Sequence, residues 1–171
     1  MADLSFKERL QPSLLDRLCD DEPGRQSEGP ARRSMTMRQL RQSVLRDLSW
    51  LLNTTHFGSV VDIEEWPMVA ASVLNFGIPE LTGVTASSLD PVVLERQVRE
   101  AVMRFEPRIL PATVRVRVVT TPDAEQRNVL FFEITGELWA QPANERLMLM
   151  TQVDLETGDF AVRDGLARES G

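Results

Sequence analysis

The hydrophobic period of this chain changes once, at Pro111, and that change constrains the fold more than any other feature. Upstream, apolar side chains recur every three or four residues. Leu40, Val44, Leu45, Leu48, Leu51 and Leu52 form one such set, and Leu94, Val98, Ala101, Val102 and Phe105 form another. This spacing puts each set on one face of an α-helix. Downstream, Val114, Val116 and Val118 alternate with Arg115 and Arg117, the two-residue period of a half-buried strand. Further β-rich segments follow at 129–140, 146–155 and 160–162, the last two joined by the turn Glu156-Thr157-Gly158-Asp159, with another turn at Thr121-Pro122-Asp123. Helices followed by an antiparallel sheet make an α+β domain, its amino-terminal helices packed on a small carboxy-terminal sheet.

Start and stop signals bound these elements. Ser34 or Thr36 caps a helix running from about Met35 to Asn53, which stops in Asn53-Thr54-Thr55-His56-Phe57-Gly58. A short element spans Trp66 to Leu74 and ends at Asn75-Phe76-Gly77-Ile78-Pro79. Ser88 as cap and Pro91 in the first turn open the helix that leads to Glu106. Leu14, Leu15 and Leu18 behind Pro12 and Ser13 predict a brief helix capped by Ser13. Residues 20–34 are polar and rich in Pro and Gly, and read as a mobile loop. The expected organisation is a short helix and flexible loop over 1–34, one α+β domain over 35–165, and a tail over 166–171.

Where the second helix must stop stands Phe105-Glu106-Pro107-Arg108-Ile109. Pro107 has no N–H to continue the helix, and it biases Glu106 away from helical geometry. A carboxylate and a guanidinium thus flank a rigid corner. Two uses remain open at this point. The pair satisfies helix carbonyls or each other, or both groups meet a partner.

A formal net charge of −7 argues against a general nucleic-acid binder, which needs a basic footprint. Arg32, Arg33, Arg38, Arg41 and Arg46 form a local basic stretch, readable as a solvated helix face or as a docking site for an acidic protein surface. No apolar run approaches membrane-span length, and the charged residues Asp3, Lys7, Glu8 and Arg9 do not fit a secretory signal. The single cysteine, Cys19, precludes an intrachain disulfide and reads as a small packing residue in a reducing, cytoplasmic setting. Catalytic chemistry finds little support. Glu64 and Glu65 are adjacent and would point to opposite faces of an extended chain. His56, the only histidine, falls in a helix-terminal loop, and no Gly-x-Ser-x-Gly elbow, phosphate-binding glycine loop or cysteine–histidine cluster is present. The expectation is a protein that is not an enzyme and has no cofactor or metal site.

Four motifs come in a familiar order: Asp47-Leu48 with Leu51-Leu52-Asn53-Thr54; Ser72-Val73-Leu74-Asn75-Phe76-Gly77; Phe105-Glu106-Pro107-Arg108-Ile109; and Val153-Asp154-Leu155-Glu156-Thr157-Gly158. Together, over roughly residues 10–165, they resemble TssE, the baseplate wedge protein of bacterial type VI secretion systems. Its counterpart in contractile phages carries a historical "lysozyme-like" label. This chain has Thr55 where the family usually has Arg, and Phe76 where Tyr is common. The resemblance implies a cytoplasmic structural subunit joining wedge proteins (TssF-, TssG- and TssK-like) to the contractile sheath and templating its first ring. It implies no nucleic-acid partner and no membrane insertion. A generic protein-binding adaptor is the alternative reading, and a peptidoglycan hydrolase the least favoured one. Glu106, Pro107 and Arg108 match the family's wedge-docking element, and Asn53 and Asn75 join them as expected partner-binding residues. The small sheet would meet sheath subunits by strand addition, at the hairpin from Arg146 to Val162 or at Val114 to Thr120.

Overall fold

Two amphipathic helices, α2 (Met37–Leu52) and α4 (Pro91–Phe105), pack against a four-stranded antiparallel sheet and against each other. The strands β1 (Arg115–Val119), β2 (Val129–Leu138), β3 (Glu145–Asp154) and β4 (Phe160–Asp164) lie in the order β1-β2-β3-β4. Two short helices, α1 (Leu14–Leu18) and α3 (Pro67–Ala70), and 3-10 turns at 57–59, 73–75 and 111–113 complete the elements. The computed structural model describes residues 12–18, 35–85, 88–119, 128–140 and 143–165. The expected loop at 20–34, the turn at 121–123, the tail at 166–171 and Cys19, Arg32, Arg33 and Ser34 lie outside the described residues.

The α+β class and the helix-then-sheet order are as the change of period predicts. Helix α2 starts in a capping box: the Thr36 hydroxyl accepts from the Gln39 N–H, and the Gln39 side chain accepts from the Thr36 N–H. The cap of α4 is Asp90 rather than Ser88, its carboxylate accepting from the Val92 N–H at 2.9 Å. Pro91 sits at the first helical position, which fixes the cap one residue earlier; the Ser88 hydroxyl instead donates to the Thr85 carbonyl. Ser13 caps α1 as expected, accepting from the Asp16 N–H. The short element expected at 66–74 divides into α3 and the 3-10 turn at 73–75, because the Ser72 hydroxyl accepts from the Leu74 N–H and starts a new turn.

The helical stripes and one sheet face build a single core. Val44, Leu48 and Leu51 of α2 and Leu94 and Val102 of α4 are buried in the same cluster as Phe132, Ile134, Leu147 and Leu149 of the sheet. The register aligns Val116, Ile134 and Leu149 across three strands, so successive core residues face the helices. Each such side chain contributes roughly 1.5–3 kcal/mol on burial.

Strand order makes β1 and β4 the two sheet edges, and it places β3, half of the hairpin proposed from sequence as an edge, in the interior. The β1 edge is occupied. Glu95 of α4 accepts from the Val118 N–H at 2.8 Å, and Arg99 of α4 donates to the Val114 carbonyl at 3.1 Å. At β4 the Asn53 amide both accepts from the Phe160 N–H (2.9 Å) and donates to its carbonyl (3.0 Å), and at the far end of the strand Arg41 of α2 donates to the Asp164 carboxylate.

Candidate functional site

The Glu106-Pro107-Arg108 corner is held by its backbone before its side chains act. Helix α4 makes its last bond from the Glu106 N–H to the Val102 carbonyl (2.9 Å), and the chain then leaves helical geometry at Glu106, with φ −121 and ψ 78. Beyond exposed Pro107, the corner is stitched to the end of β2. The Trp139 N–H donates to the Arg108 carbonyl at 2.8 Å, and the Leu110 N–H donates to the Glu137 carbonyl at 2.9 Å. Ile109 is buried against Gly136, where a Cβ would lie 2.8 Å from the Ile109 Cγ2. A glycine is required there by the close approach.

The side chains close a compact ionic network. Arg108 grips Glu106 with two parallel bonds, Nε to Oε1 at 2.7 Å and Nη2 to Oε2 at 2.5 Å. Nη2 also meets the Asp47 carboxylate (2.5 Å) and Nη1 meets the Ser43 hydroxyl (3.1 Å). Such fork-to-carboxylate pairing is geometrically specific to arginine. Glu106 is 2% exposed, whereas the Arg108 side chain keeps 21% of its surface open. Burial alone would lower the Arg108 pKa, but the hydrogen bonds and charges of Glu106 and Asp47 outweigh it and hold the pKa well above its ordinary value. The network continues outward. Arg46 donates to Asp47 (2.8 Å) and to Asp16 of α1 (2.8 Å), and stacks over Trp50 at 5.1 Å. Helices α1 and α2 and the corner thus share one alternating chain of charges.

Of the two uses left open by sequence, Glu106 and Arg108 do satisfy each other in the isolated chain. Ser43 and Asp47 are the members that sequence reasoning did not assign to the site. Their signal was present, as polar residues four apart on α2, beside the apolar stripe and therefore on one helical face. Asn53 and Asn75 belong to other networks. Asn53 closes the start of β4, as described. The Asn75 Oδ1 accepts from the Gly58 N–H (2.8 Å) and its Nδ2 donates to the Ala70 carbonyl (3.2 Å), clasping the short turns between α2 and α4.

Three arginines of the basic stretch, Arg38, Arg41 and Arg46, are among the described residues. Arg41 is spent on Asp164 (2.5 and 2.9 Å) and Glu145 (2.8 Å), and Arg46 on Asp16 and Asp47, so only Arg38 of the three described arginines stands exposed on α2. Glu64 and Glu65 are both exposed. The His56 ring lies 3.4 Å from the Ser59 hydroxyl, and its partial burial lowers its pKa. Among the described residues no helix is long and apolar enough to cross a membrane, and no group of acidic, histidine or cysteine side chains could hold a metal ion.

The family described as "Baseplate wedge protein gp25" matches residues 38–143. No curated protein and no solved structure matches the chain. The matched span begins in the first turn of α2 and ends between β2 and β3, so it contains Ser43, Asp47, Glu106 and Arg108 together. More than half of the sequence falls within that match, and the chain therefore belongs to the baseplate wedge protein gp25 family, the structural family of TssE.

Proposed function

We propose that this protein is a cytoplasmic baseplate subunit of a type VI secretion system, which ties wedge proteins to the contractile sheath and templates the first sheath ring. The observation that carries this reading, beyond family membership, is the outward-facing backbone at the middle of the edge strand β4. The β1 edge is blocked by Glu95 and Arg99. On β4, Phe160 turns its N–H and C=O away from β3 toward Asn53. By the alternation of an antiparallel ladder, Val162 turns its own groups the same way. Among the described residues no strand lies beyond β4. An extended arm of a sheath subunit pairs there, main-chain bonds supplying affinity and alternate side chains the register.

The wedge docks at the corner. Pro107 is exposed and rigid, Arg108 presents the open part of its side chain, and Glu106 acts from within as the counter-ion that fixes the guanidinium. A preformed corner of this kind lowers the ordering cost of association. Asn53 and Asn75 contribute by shaping neighbouring surfaces, Asn53 by closing the Phe160 end of the β4 edge.

Val162→Pro tests the sheath contact, because it removes an outward N–H while leaving the inward ladder of Ala161 and Arg163 in place. The expected outcome is blocked sheath polymerisation with wedge co-purification intact. Normal sheath growth on a folded Val162→Pro protein would contradict strand addition at β4.

A further inference from the structure

The segment between α2 and α4 carries a second surface, unlike the corner and unlike the sheet edge. The 3-10 turns at 57–59 and 73–75 and helix α3 bury no residue at all. Their large apolar side chains face outward instead: Val60 is 80% exposed, Met68 83%, Val73 79% and Leu74 69%, with Phe57 and Trp66 about half exposed. Monomeric proteins seldom expose apolar groups in such concentration unless something covers them.

This surface is preformed. Asn75 clasps Gly58 and Ala70, joining all three turns. The module is then fixed to the body at several points. Phe76 packs edge-on against Phe105 (5.2 Å), Arg104 donates to the Ala70 carbonyl (2.8 Å), and the His56 N–H donates to the Ile78 carbonyl (2.9 Å). Gly77, at φ +126, permits the last contact; a Cβ there would lie 2.2 Å from the Thr54 carbonyl oxygen. The backbone is held while the apolar side chains remain free, which suits a docking face with little to order on binding.

Charge selects the occupant. From Asp47 to Glu95 the sequence contains carboxylates and no lysine or arginine. Asp62, Glu64 and Glu65 are exposed among the apolar residues, and Glu80 is exposed nearby, its carboxyl held below its usual range by bonds from Thr82 and Thr55. Arg104, which reaches in from α4, is engaged on the Ala70 carbonyl. A second copy of this face would set carboxylate against carboxylate, and an anionic lipid surface would be repelled in the same way. The backbone groups of the module close local turns, as in Val60 to Phe57, Ala71 to Pro67 and Asn75 to Ser72, so recognition falls to side chains rather than to an added strand. We infer that the 57–75 face docks a cationic amphipathic helix of another protein subunit, its apolar side on Met68, Val73 and Leu74 and its basic flank on Glu64 and Glu65. This site is separate from the corner and the β4 edge and does not rest on the function proposed for either.

The test uses the full chain and two designed helical peptides, one of leucine and lysine and one of leucine and glutamate, with binding read by fluorescence anisotropy of the labelled peptide. The lysine peptide should bind and the glutamate peptide should not. Val73→Asp with Leu74→Asp should weaken the lysine peptide at least tenfold without shifting the melting temperature. Glu64→Arg with Glu65→Arg should weaken it severalfold and admit the glutamate peptide, which tests the charge argument independently of the apolar one. Equal binding of both peptides, affinity unchanged by both double variants, or self-association of the wild-type chain that Val73→Asp with Leu74→Asp abolishes would each overturn the inference. Val162→Pro serves as a control that should leave peptide binding intact, so failure of the sheath contact and failure of this site are read separately.

Discussion

The corner at 106–110 and the module at 57–75 spend their side chains in opposite directions. At the corner the charged groups turn inward: Glu106 is buried and Arg108 is committed to Glu106, Asp47 and Ser43. In the module the apolar groups turn outward, while a polar residue, Asn75, holds the backbone from within. In both, polar bonds inside hold the backbone in place. Residue type therefore does not reveal which way a side chain is employed. What decides it is whether the groups it would meet inside are already satisfied.

The sharpest way to break this comparison is to remove the guanidinium. Arg108→Ala leaves Glu106 buried without its bidentate partner, and the loss of one member of a buried pair costs ~3–5 kcal/mol. For a chain of this size that lowers the melting temperature by on the order of 10 °C, measurable by thermal unfolding. Arg108→Lys should recover only part of the loss, since a point charge cannot reproduce the fork. Combining Glu106→Leu with Arg108→Met should melt higher than Arg108→Ala alone, because no uncompensated charge is then left inside. A variant Arg108→Ala that melts like the wild type would show the network to be dispensable.

Next in size is Gly77, which links module and body. Gly77→Ala forces a side chain into positive φ and against the Thr54 carbonyl, and should cost about 2–3 kcal/mol in chemical denaturation. The smallest effect is expected at the clasp. Asn75→Ala should cost about 1–2 kcal/mol and specifically raise hydrogen exchange at the Gly58 amide, whose acceptor is lost, while amides of β2 and β3 keep their protection. Uniformly faster exchange across the sheet would mean that the module is part of the cooperative core rather than an outer surface.

Much of the fold was legible because it rests on local pattern. The stripes of α2 and α4 and the alternation in β1 follow from periodicity, and they place the helices and the sheet correctly. Local rules erred where two signals competed, as when Ser88 offered a cap but Pro91 required it at Asp90. The site was legible only in outline. Glu106, Pro107 and Arg108 mark a junction that any reading of the sequence finds. Their partners Ser43 and Asp47 lie on another helix, brought in by packing of α2 against α4 that no local rule encodes. Which strands form the edges, and which side chains reach them, was equally hidden, since both depend on strand order and on the reach of Glu95, Arg99, Arg41 and Asn53 across the fold.

The central claim is that the corner docks the wedge as a unit prepared by its own ion pairs. It is tested most directly by measuring wedge co-purification per folded molecule for Arg108→Ala, at a temperature where that variant is folded. The account predicts a loss of at least tenfold beyond any loss of folded protein, because the docking surface loses both the exposed part of Arg108 and the support that Glu106 gives it. Wedge binding that falls only in proportion to the folded fraction would contradict it, and would leave the Glu106–Arg108 pair as internal scaffolding alone.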